Sequence, residues 1–291
     1  MRLRIPEAFA RGIQGESGAD GDAWLARLPG LVEATLADWG LSASGDVMHG
    51  YLAIVLAAHD ASGGYAVKFT QPGARANEEA AALSAWNGNG TVELIRSRLE
   101  VGALQLELLD SARTLSVLPI DDAVTVAASL LRRLAIAPPP GLASLDERAG
   151  AWIEQWSKAF ELCGRPFPRR WLDAAIDLTQ QLAPSADRLL VNEDLHFDNV
   201  LAGVREPWSV IDPKVVVGDV EFGVAPLFWN RSDKRRLAER LDAIVQAAEL
   251  DAHRTRGWLL VRTIDLWLWA IPLGFTEFTQ SCTALSEWLT G

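Results

Sequence analysis

Cysteine is nearly absent from this chain. The two cysteines in 291 residues, Cys163 and Cys282, are too few for a disulfide framework or for the usual four-ligand zinc site. Long apolar runs are also lacking, because the longest uncharged stretch near the end, residues 266–276, is far shorter than the roughly 20 residues that span a bilayer. The polar start, interrupted by Pro6 and Glu7, is unlike a secretory signal. We therefore expect a cytoplasmic protein that contacts no membrane.

Positive charge is scarce as well. Lys and Arg number 27 against 38 Asp and Glu, so the net charge is −11 and generic nucleic-acid binding is excluded. A hydrophobic share of 49% with 22% charged residues excludes a disordered chain and allows a sizeable core. The acidity suits a small cationic substrate, although many soluble proteins carry such a charge for solubility alone.

The apolar patterns divide the chain near residue 110. Before that point, β-rich runs predict two hairpins with one helix between them, and a further helix precedes them. After it, the pattern is mostly helical, with short apolar strands inserted midway. The predicted helices cover 24–39, 77–86, 121–136, 145–162, 170–183, 231–250, 254–271 and 277–289, and the predicted strands cover 51–59, 65–70, 92–99, 103–109, 189–191, 200–201 and 208–211.

An aspartate and an asparagine stand at an informative spacing among the short strands. Asp194 is followed five residues later by Asn199, as in the catalytic loop of protein kinases. In that loop the aspartate accepts a proton from the attacking hydroxyl, and the asparagine faces a phosphate-bound Mg²⁺. Asp212 ends the next apolar strand, where a carboxylate can hold magnesium between phosphates. Each residue alone also fits a turn or a chance match.

Two residues upstream complete the set that a kinase needs. Lys68 lies late in a predicted strand, and Glu79 lies on the helix that follows. A strand lysine that binds phosphates and pairs with a helix glutamate belongs to the kinase nucleotide site. Taken singly, Lys68 also fits a solvated strand residue, and Glu79 a glutamate favoured by the helix dipole. The ordered set predicts a two-lobed, protein-kinase-like α+β fold.

With these residues in place, the chain resembles the kinase-fold aminoglycoside phosphotransferases, and within them the streptomycin 6-kinase and hydroxyurea-resistance kinase group. The most specific segment is Ile211-Asp212-Pro213-Lys214. The resemblance covers almost the whole chain and is carried by residues 22–25, 28–29, 79–83, 86–90, 104–109, 194–201, 205–214, 217–227 and 229–231.

The resemblance implies a role for each matching residue. It implies that Asp194 is the catalytic base and that Asn199 and Asp212 bind Mg²⁺. It also implies that Lys68, paired with Glu79, holds the phosphates of ATP or GTP.

Further implications concern the nucleotide and the lobes. The strand 104–109 resembles the family's nucleotide hinge, which implies contacts from Glu107 and Leu109. Residues 1–110 would form a nucleotide-binding N-lobe, and residues 111–291 a C-lobe with the catalytic loop, the metal site and the acceptor-binding helices. Segment 45–51 has only two glycines and fits a nucleotide-covering loop or an ordinary turn.

One departure from the family concerns the residues before the catalytic aspartate. The usual His-Gly is replaced by Asn192-Glu193, which adds a second carboxylate that can alter the loop or the metal site. Glu193 is also a candidate ligand for a cationic acceptor. Asp265 is another candidate, although an ion pair with Arg262, three residues away on one helix face, is the favoured interpretation.

The expected reaction is transfer of the γ-phosphoryl group of a nucleoside triphosphate to a hydroxyl of an aminoglycoside such as streptomycin, which gives antibiotic resistance. One alternative is a kinase of the same fold that acts on a metabolic alcohol or on hydroxyurea. Another is a pseudokinase that binds nucleotide without turnover. The acceptor hydroxyl, the choice between ATP and GTP, and the oligomeric state stay open at this point.

Overall fold

In the computed structural model, which describes residues 3–229 and 236–291, the chain divides into two units. The first comprises the described residues through Ser111 together with Ala202–Ser209. The second comprises the described residues of Ala112–Leu201 and Val210–Gly291. Residues 230–235, which hold the start of the predicted helix 231–250 and most of the family segment 229–231, lie outside the described residues.

The first unit contains most of the strands. Its elements are α1 (Glu7–Asp38), β1 (Ser42–His49), β2 (Ala53–His59), β3 (Gly64–Thr70), α2 (Ala74–Trp86), β4 (Leu94–Arg98) and β5 (Ala103–Glu107), and β6 (Asp110–Thr114) begins at its boundary. Five of the strands form an antiparallel sheet in the order β1-β2-β3-β5-β4. The core lies between α1 and this sheet, because apolar residues of both elements share one buried cluster.

Helix α1 extends well beyond the predicted helix 24–39. It bends at Gly18, whose φ is +50°. The bend lets Phe9 meet Trp24 edge to face at 6.0 Å, and both rings are buried. The first half is polar and glycine-rich, so its helicity depends on packing that a sequence pattern does not show.

Strand β1 is absent from the sequence-based prediction. Its side chains are mostly exposed, as an edge strand allows, so it shows no apolar alternation. A bulge lies between Ser44 and Val47, and Gly45 within it has a φ of +72°. Segment 45–51 is therefore mostly strand. A turn at residues 50–52 connects β1 to β2. This turn is closed by a 2.9 Å hydrogen bond from the Gly50 N–H to the Ala53 carbonyl.

The β4–β5 hairpin is fixed to β3 by a glycine. Gly102 has a φ of +69°, and a Cβ atom there would lie 1.9 Å from the Thr70 carbonyl oxygen. Its own carbonyl accepts the Thr70 N–H at 2.9 Å. Only glycine fits this conformation and this close approach. The contact secures the end of the strand that carries Lys68.

The second unit is mostly helical. Its elements are α3 (Ile120–Leu134), α4 (Leu145–Leu162), α5 (Arg169–Leu182), β7 (Leu189–Asn192), β8 (Val200–Ala202), β9 (Trp208–Val210), β10 (Val215–Gly218), α6 (Pro226–Trp229), α7 (Leu237–Ala248), α8 (Ala252–Ala270) and α9 (Thr276–Thr290), with β8 and β9 at its boundary. Strand β10, too short to show a pattern, pairs antiparallel with β7. Among the described residues, no helix is long and apolar enough to cross a membrane.

Two helices of this unit have side-chain caps that set where they begin. Ser144 and Glu147 form a reciprocal capping box at the start of α4, which places Arg148 in its first turn. Asp251 caps α8 by accepting the Arg254 N–H at 2.8 Å. Helix α8 is buried around most of its circumference, as expected of a core helix.

Candidate active site

Asp194 lies in the loop that leaves β7. Buried Leu195 and Phe197 anchor this loop on the core, and a short 3₁₀ turn over Phe197–Asn199 leads into β8. The Asp194 N–H donates to the side-chain oxygen of Asn192 at 3.0 Å. The Asp194 carbonyl accepts the side-chain amide of Asn199 at 3.1 Å. The backbone of the aspartate is thus held on both sides, and its side chain is left for chemistry.

The Asp194 carboxylate pairs with a lysine of the second unit. Its Oδ2 atom lies 2.8 Å from Nζ of Lys214, the last residue of the specific segment Ile211-Asp212-Pro213-Lys214. The Asp194 side chain is 18% exposed and the Lys214 side chain 51% exposed. The Asp194 carboxylate is therefore partly accessible, and the ammonium group of Lys214 balances its charge.

Asn199 and Asp212 lie next to each other through the backbone. The N–H of Ile211 donates to the Asn199 carbonyl at 2.8 Å. Asp212 has a φ of +48°, a left-handed conformation that is uncommon outside glycine and occurs at functional sites. The Asn199 amide nitrogen is used by Asp194, so its amide oxygen is the atom that remains for a cation.

The donor set of Asn199 and Asp212 fits magnesium. Both supply oxygen, the atom that Mg²⁺ prefers, and two protein ligands suffice because substrate phosphates and water complete its octahedron. Within the described part of the chain, no cluster of three or more His, Cys, Asp and Glu side chains offers another metal site.

Lys68 and Glu79 are in contact within the first unit. Nζ of Lys68 donates to both carboxylate oxygens of Glu79, at 2.6 and 2.7 Å. The two side chains are 5% and 3% exposed. Strand β3 is buried at its end, and α2 follows it closely, so the sequence order brings the pair together. The helix begins at Ala74, earlier than the predicted start at Asn77.

The strand that resembles the nucleotide hinge ends in a side-chain network. The Glu107 carboxylate accepts Nη2 of Arg205 at 2.8 Å and the Glu93 N–H at 3.3 Å. Arg205 and Glu107 both belong to the first unit. Leu109 packs closely on Gly203 of the same unit. The Oε2 atom of Glu107 is therefore occupied by protein partners.

A cavity of about 440 Å³ opens beside Asp194 in the second unit. This volume falls within the range of small-molecule sites. Three cationic and three anionic side chains face it, together with several aromatic rings and a histidine. Its lining comprises Arg148, Trp152, Glu193, Asp194, His196, Lys214, Trp229, Arg262, Asp265, Leu266, Trp269 and Phe278.

Asp265 lines the cavity without the ion pair that was favoured from sequence. Its carboxylate accepts the indole N–H of Trp156 at 2.7 Å. Burial raises its pKa, against the opposing charge of Arg262. Within the described residues Arg262 pairs instead with Glu193, at 3.2 Å. The prediction of an Arg262–Asp265 pair was wrong because α8 turns Arg262 toward the loop that holds Glu193.

Sequence reasoning missed the roles of four side chains around the loop. Asn192 supports the Asp194 backbone, Lys214 pairs with its carboxylate, and Arg148 and Arg262 both bind Glu193. Lys214 had a signal in the family segment 211–214, whereas nothing in the sequence linked the two arginines, which come from distant helices, to Glu193.

Comparison with known proteins identifies the family of this chain. The family of aminoglycoside/hydroxyurea antibiotic resistance kinases matches residues 38–274. A streptomycin 6-kinase of Streptomyces griseus is 36% identical over 300 residues, 98% of this chain and 96% of that protein. A hydroxyurea phosphotransferase of Kitasatospora aureofaciens is 39% identical over 280 residues, 94% of this chain and 82% of that protein.

Solved structures show the same fold at low identity. A thermostable aminoglycoside phosphotransferase mutant in its apo form aligns with a TM-score of 0.65 at 16% identity, over 89% of this chain and 98% of that one. Choline kinase LicA of Streptococcus pneumoniae aligns with a TM-score of 0.61 at 15% identity, over 90% and 99%. The expected kinase-like fold is confirmed. The chain belongs to the aminoglycoside/hydroxyurea antibiotic resistance kinase family.

Proposed function

We propose that this protein transfers the γ-phosphoryl group of ATP to a hydroxyl of an aminoglycoside such as streptomycin, and thereby confers antibiotic resistance. The observation that carries the proposal is the position of Asp194, supported by Asn192 and Lys214 at the edge of a small-molecule cavity. Streptomycin 6-kinases with 36% and 35% identity along nearly the whole chain support the same acceptor class.

In this reaction Asp194 orients the acceptor and takes its proton. A hydroxyl in the cavity would donate to an Asp194 carboxylate oxygen, which aligns the hydroxyl oxygen for attack on the γ-phosphorus. The proton passes to that carboxylate as the new P–O bond forms and the bond to the leaving ADP breaks. Before the acceptor binds, the ammonium group of Lys214 balances the charge of the Asp194 carboxylate. Most of the acceleration comes from positioning and charge neutralisation.

The other predicted site residues would bind the nucleotide. Lys68, oriented by Glu79, would bind the phosphates of the nucleotide, since a buried lysine held on both carboxylate oxygens has few other orientations. Asn199 and Asp212 would hold Mg²⁺, which neutralises phosphate charge when bound.

ATP is the favoured donor. A solved relative of this fold is a ternary complex with ADP and hygromycin B, and another binds AMP-PNP and hygromycin B. Because the Glu107 side chain is held by Arg205, we assign any contact with the base to the backbone of residues 107–109. The first unit would thus be the nucleotide-binding lobe and the second the catalytic and acceptor-binding lobe.

The cavity also fits a second acceptor. The 39% identity to a hydroxyurea phosphotransferase supports hydroxyurea, which is much smaller than an aminoglycoside. The aromatic lining, which includes Trp152 and Trp269, and the carboxylate of Asp265 favour the larger cationic acceptor, because rings and a carboxylate suit a sugar that carries positive groups.

The test is an acceptor screen with the purified chain, ATP and MgCl₂. ADP release is measured with streptomycin, with hydroxyurea and without acceptor, and the products are analysed by mass spectrometry. We expect streptomycin-dependent ADP release and a streptomycin product that carries one added phosphoryl group. Phosphorylation of hydroxyurea alone would assign the second candidate. Absence of acceptor-dependent ADP release with both compounds would contradict the proposal and favour a nucleotide-binding protein without turnover.

A further inference from the structure

The carboxylate of Glu193, the residue directly before Asp194, is held by two arginines. Its Oε1 atom accepts Nη1 of Arg148 at 2.9 Å, and its Oε2 atom accepts Nη1 of Arg262 at 3.2 Å. The side chains of Glu193, Arg148 and Arg262 are 13%, 24% and 11% exposed. Each oxygen thus has its own cationic partner in a partly desolvated site, where such pairs are geometrically specific.

The same two arginines also bind the backbone around the loop. Nη2 of Arg262 donates to the Glu193 carbonyl at 2.9 Å, which belongs to the peptide bond leading into Asp194. Nη2 of Arg148 donates to the Val215 carbonyl at 3.0 Å. The Glu193 N–H donates to the Lys214 carbonyl at 2.8 Å. The peptide groups on both sides of Glu193 are therefore fixed by hydrogen bonds.

Both arginines are themselves held in place by their surroundings. The guanidinium of Arg262 lies over the rings of Phe222 and Trp229, at 4.7 and 5.2 Å from their centroids. Arg148 stands in the first turn of α4, whose start is set by the capping box. Residues locked in this way can hold a functional group to within the fractions of an ångström that catalysis requires.

We propose that Glu193 is a positioning residue which, through Arg148 and Arg262, fixes the peptide that carries Asp194. This inference rests on the proposed phosphotransfer to an acceptor hydroxyl. It differs from a role as acceptor ligand, because both carboxylate oxygens already have arginine partners. The length of the side chain matters as much as its charge, since one carboxylate must reach two helices.

Two substitutions separate positioning from direct binding of the acceptor. Glu193→Gln removes the charge and keeps the length, whereas Glu193→Asp keeps the charge and shortens the side chain. Glu161→Gln is the matched control, because Glu161 forms a 2.9 Å ion pair with Arg165 on the exposed surface of α4. The assay is streptomycin-dependent ADP release, which gives kcat and the streptomycin KM, and amide hydrogen exchange reports on residues 193–199.

For a positioning residue, both Glu193 variants lose about tenfold or more in kcat, as expected when a reacting group is displaced by a fraction of an ångström. The streptomycin KM changes less than about threefold, amide exchange at residues 193–199 rises, and the Glu161→Gln control matches the parent. Arg148→Lys, which keeps the charge but loses the fork that reaches both Glu193 and Val215, is expected to show the same pattern. Thermal unfolding confirms that each variant is folded.

Two results would overturn the inference. If Glu193→Asp behaves like the parent while Glu193→Gln raises only the streptomycin KM, the carboxylate binds the acceptor directly. If amide exchange in the loop is unchanged in both variants, the arginines do not position it. Should the parent itself show no acceptor-dependent ADP release, the proposed function fails, and amide exchange alone still decides whether Glu193 fixes the loop.

Discussion

The buried pair of Lys68 and Glu79 gives the sharpest prediction for this fold. Nζ of Lys68 binds both oxygens of Glu79 at 2.6 and 2.7 Å, and the side chains are only 5% and 3% exposed. Lys68→Met would leave the Glu79 carboxylate buried without its ammonium partner. Loss of one member of a buried ion pair costs about 3–5 kcal/mol, so we expect a fall of that size in the free energy of unfolding.

Replacement of both residues separates stability from activity. Lys68→Met/Glu79→Leu removes both charges of the pair, and apolar replacements of buried pairs are often neutral, so we expect most of the lost stability to return. Nucleotide binding and turnover are expected to be lost in both the single and the double variant, because the phosphate-binding ammonium is missing.

The assays are urea denaturation followed by circular dichroism and ADP release in the presence of acceptor. Lys158→Met is the matched control, because Lys158 pairs with Glu154 at the same 2.6 Å distance but with side chains 68% and 70% exposed. A much smaller change is expected there. A Lys68→Met variant as mild as the control, or a double variant as unstable as the single one, would show that the pair is not a buried ion pair of this strength.

Three further predictions concern the metal, the pH dependence of stability and the backbone. Asp212→Ala should abolish turnover and the Mg²⁺ dependence of nucleotide affinity with the circular dichroism spectrum unchanged; persistent turnover would exclude Asp212 as a metal ligand. Burial raises the pKa of Glu221, whose carboxylate accepts the Asp251 N–H. The folded protein therefore favours the protonated form of Glu221, and the stability that this preference contributes is lost as the pH rises through the pKa of Glu221 in the folded state. Glu221→Gln should therefore gain stability over the parent at about pH 8 in urea denaturation and lose that advantage near pH 4; a pH-independent difference would contradict this. Gly102→Ala should lower the free energy of unfolding by about 2 kcal/mol or more, because its Cβ would meet the Thr70 carbonyl oxygen in a left-handed conformation, and an unchanged urea midpoint would refute this.

The parts of the site that sequence reasoning located depend on local order along the chain. Lys68 on a strand and Glu79 on the next helix meet because only a short connection separates β3 from α2. Asp194 and Asn199 share one loop, and the bond between Ile211 and Asn199 brings Asp212 beside them. Spacing alone suffices for such contacts. Their catalytic and metal-binding roles remain predictions, which variants of Lys68, Asp212 and Asp194 test.

The parts that sequence reasoning missed depend on packing between distant segments. Arg148 and Arg262 reach Glu193 from α4 and α8, separated by 45 and 69 residues from it. A helix-face rule suggested Asp265 as the partner of Arg262, but tertiary packing offered Glu193 instead. Likewise, polar β1 and the first half of α1 have no apolar pattern of their own and are ordered by their neighbours.

A comparison of three proteins shows whether Asp194 is the base for phosphorylation of a small-molecule hydroxyl. Formation of phosphorylated streptomycin from ATP is measured by mass spectrometry for the parent, for Asp194→Asn, and for the control Asp173→Asn on the exposed face of α5. We predict that Asp194→Asn lowers kcat by roughly 10² or more, as for loss of a positioned general base, while the control retains the parent rate. An Asp194→Asn variant that forms product as fast as the parent would contradict the account.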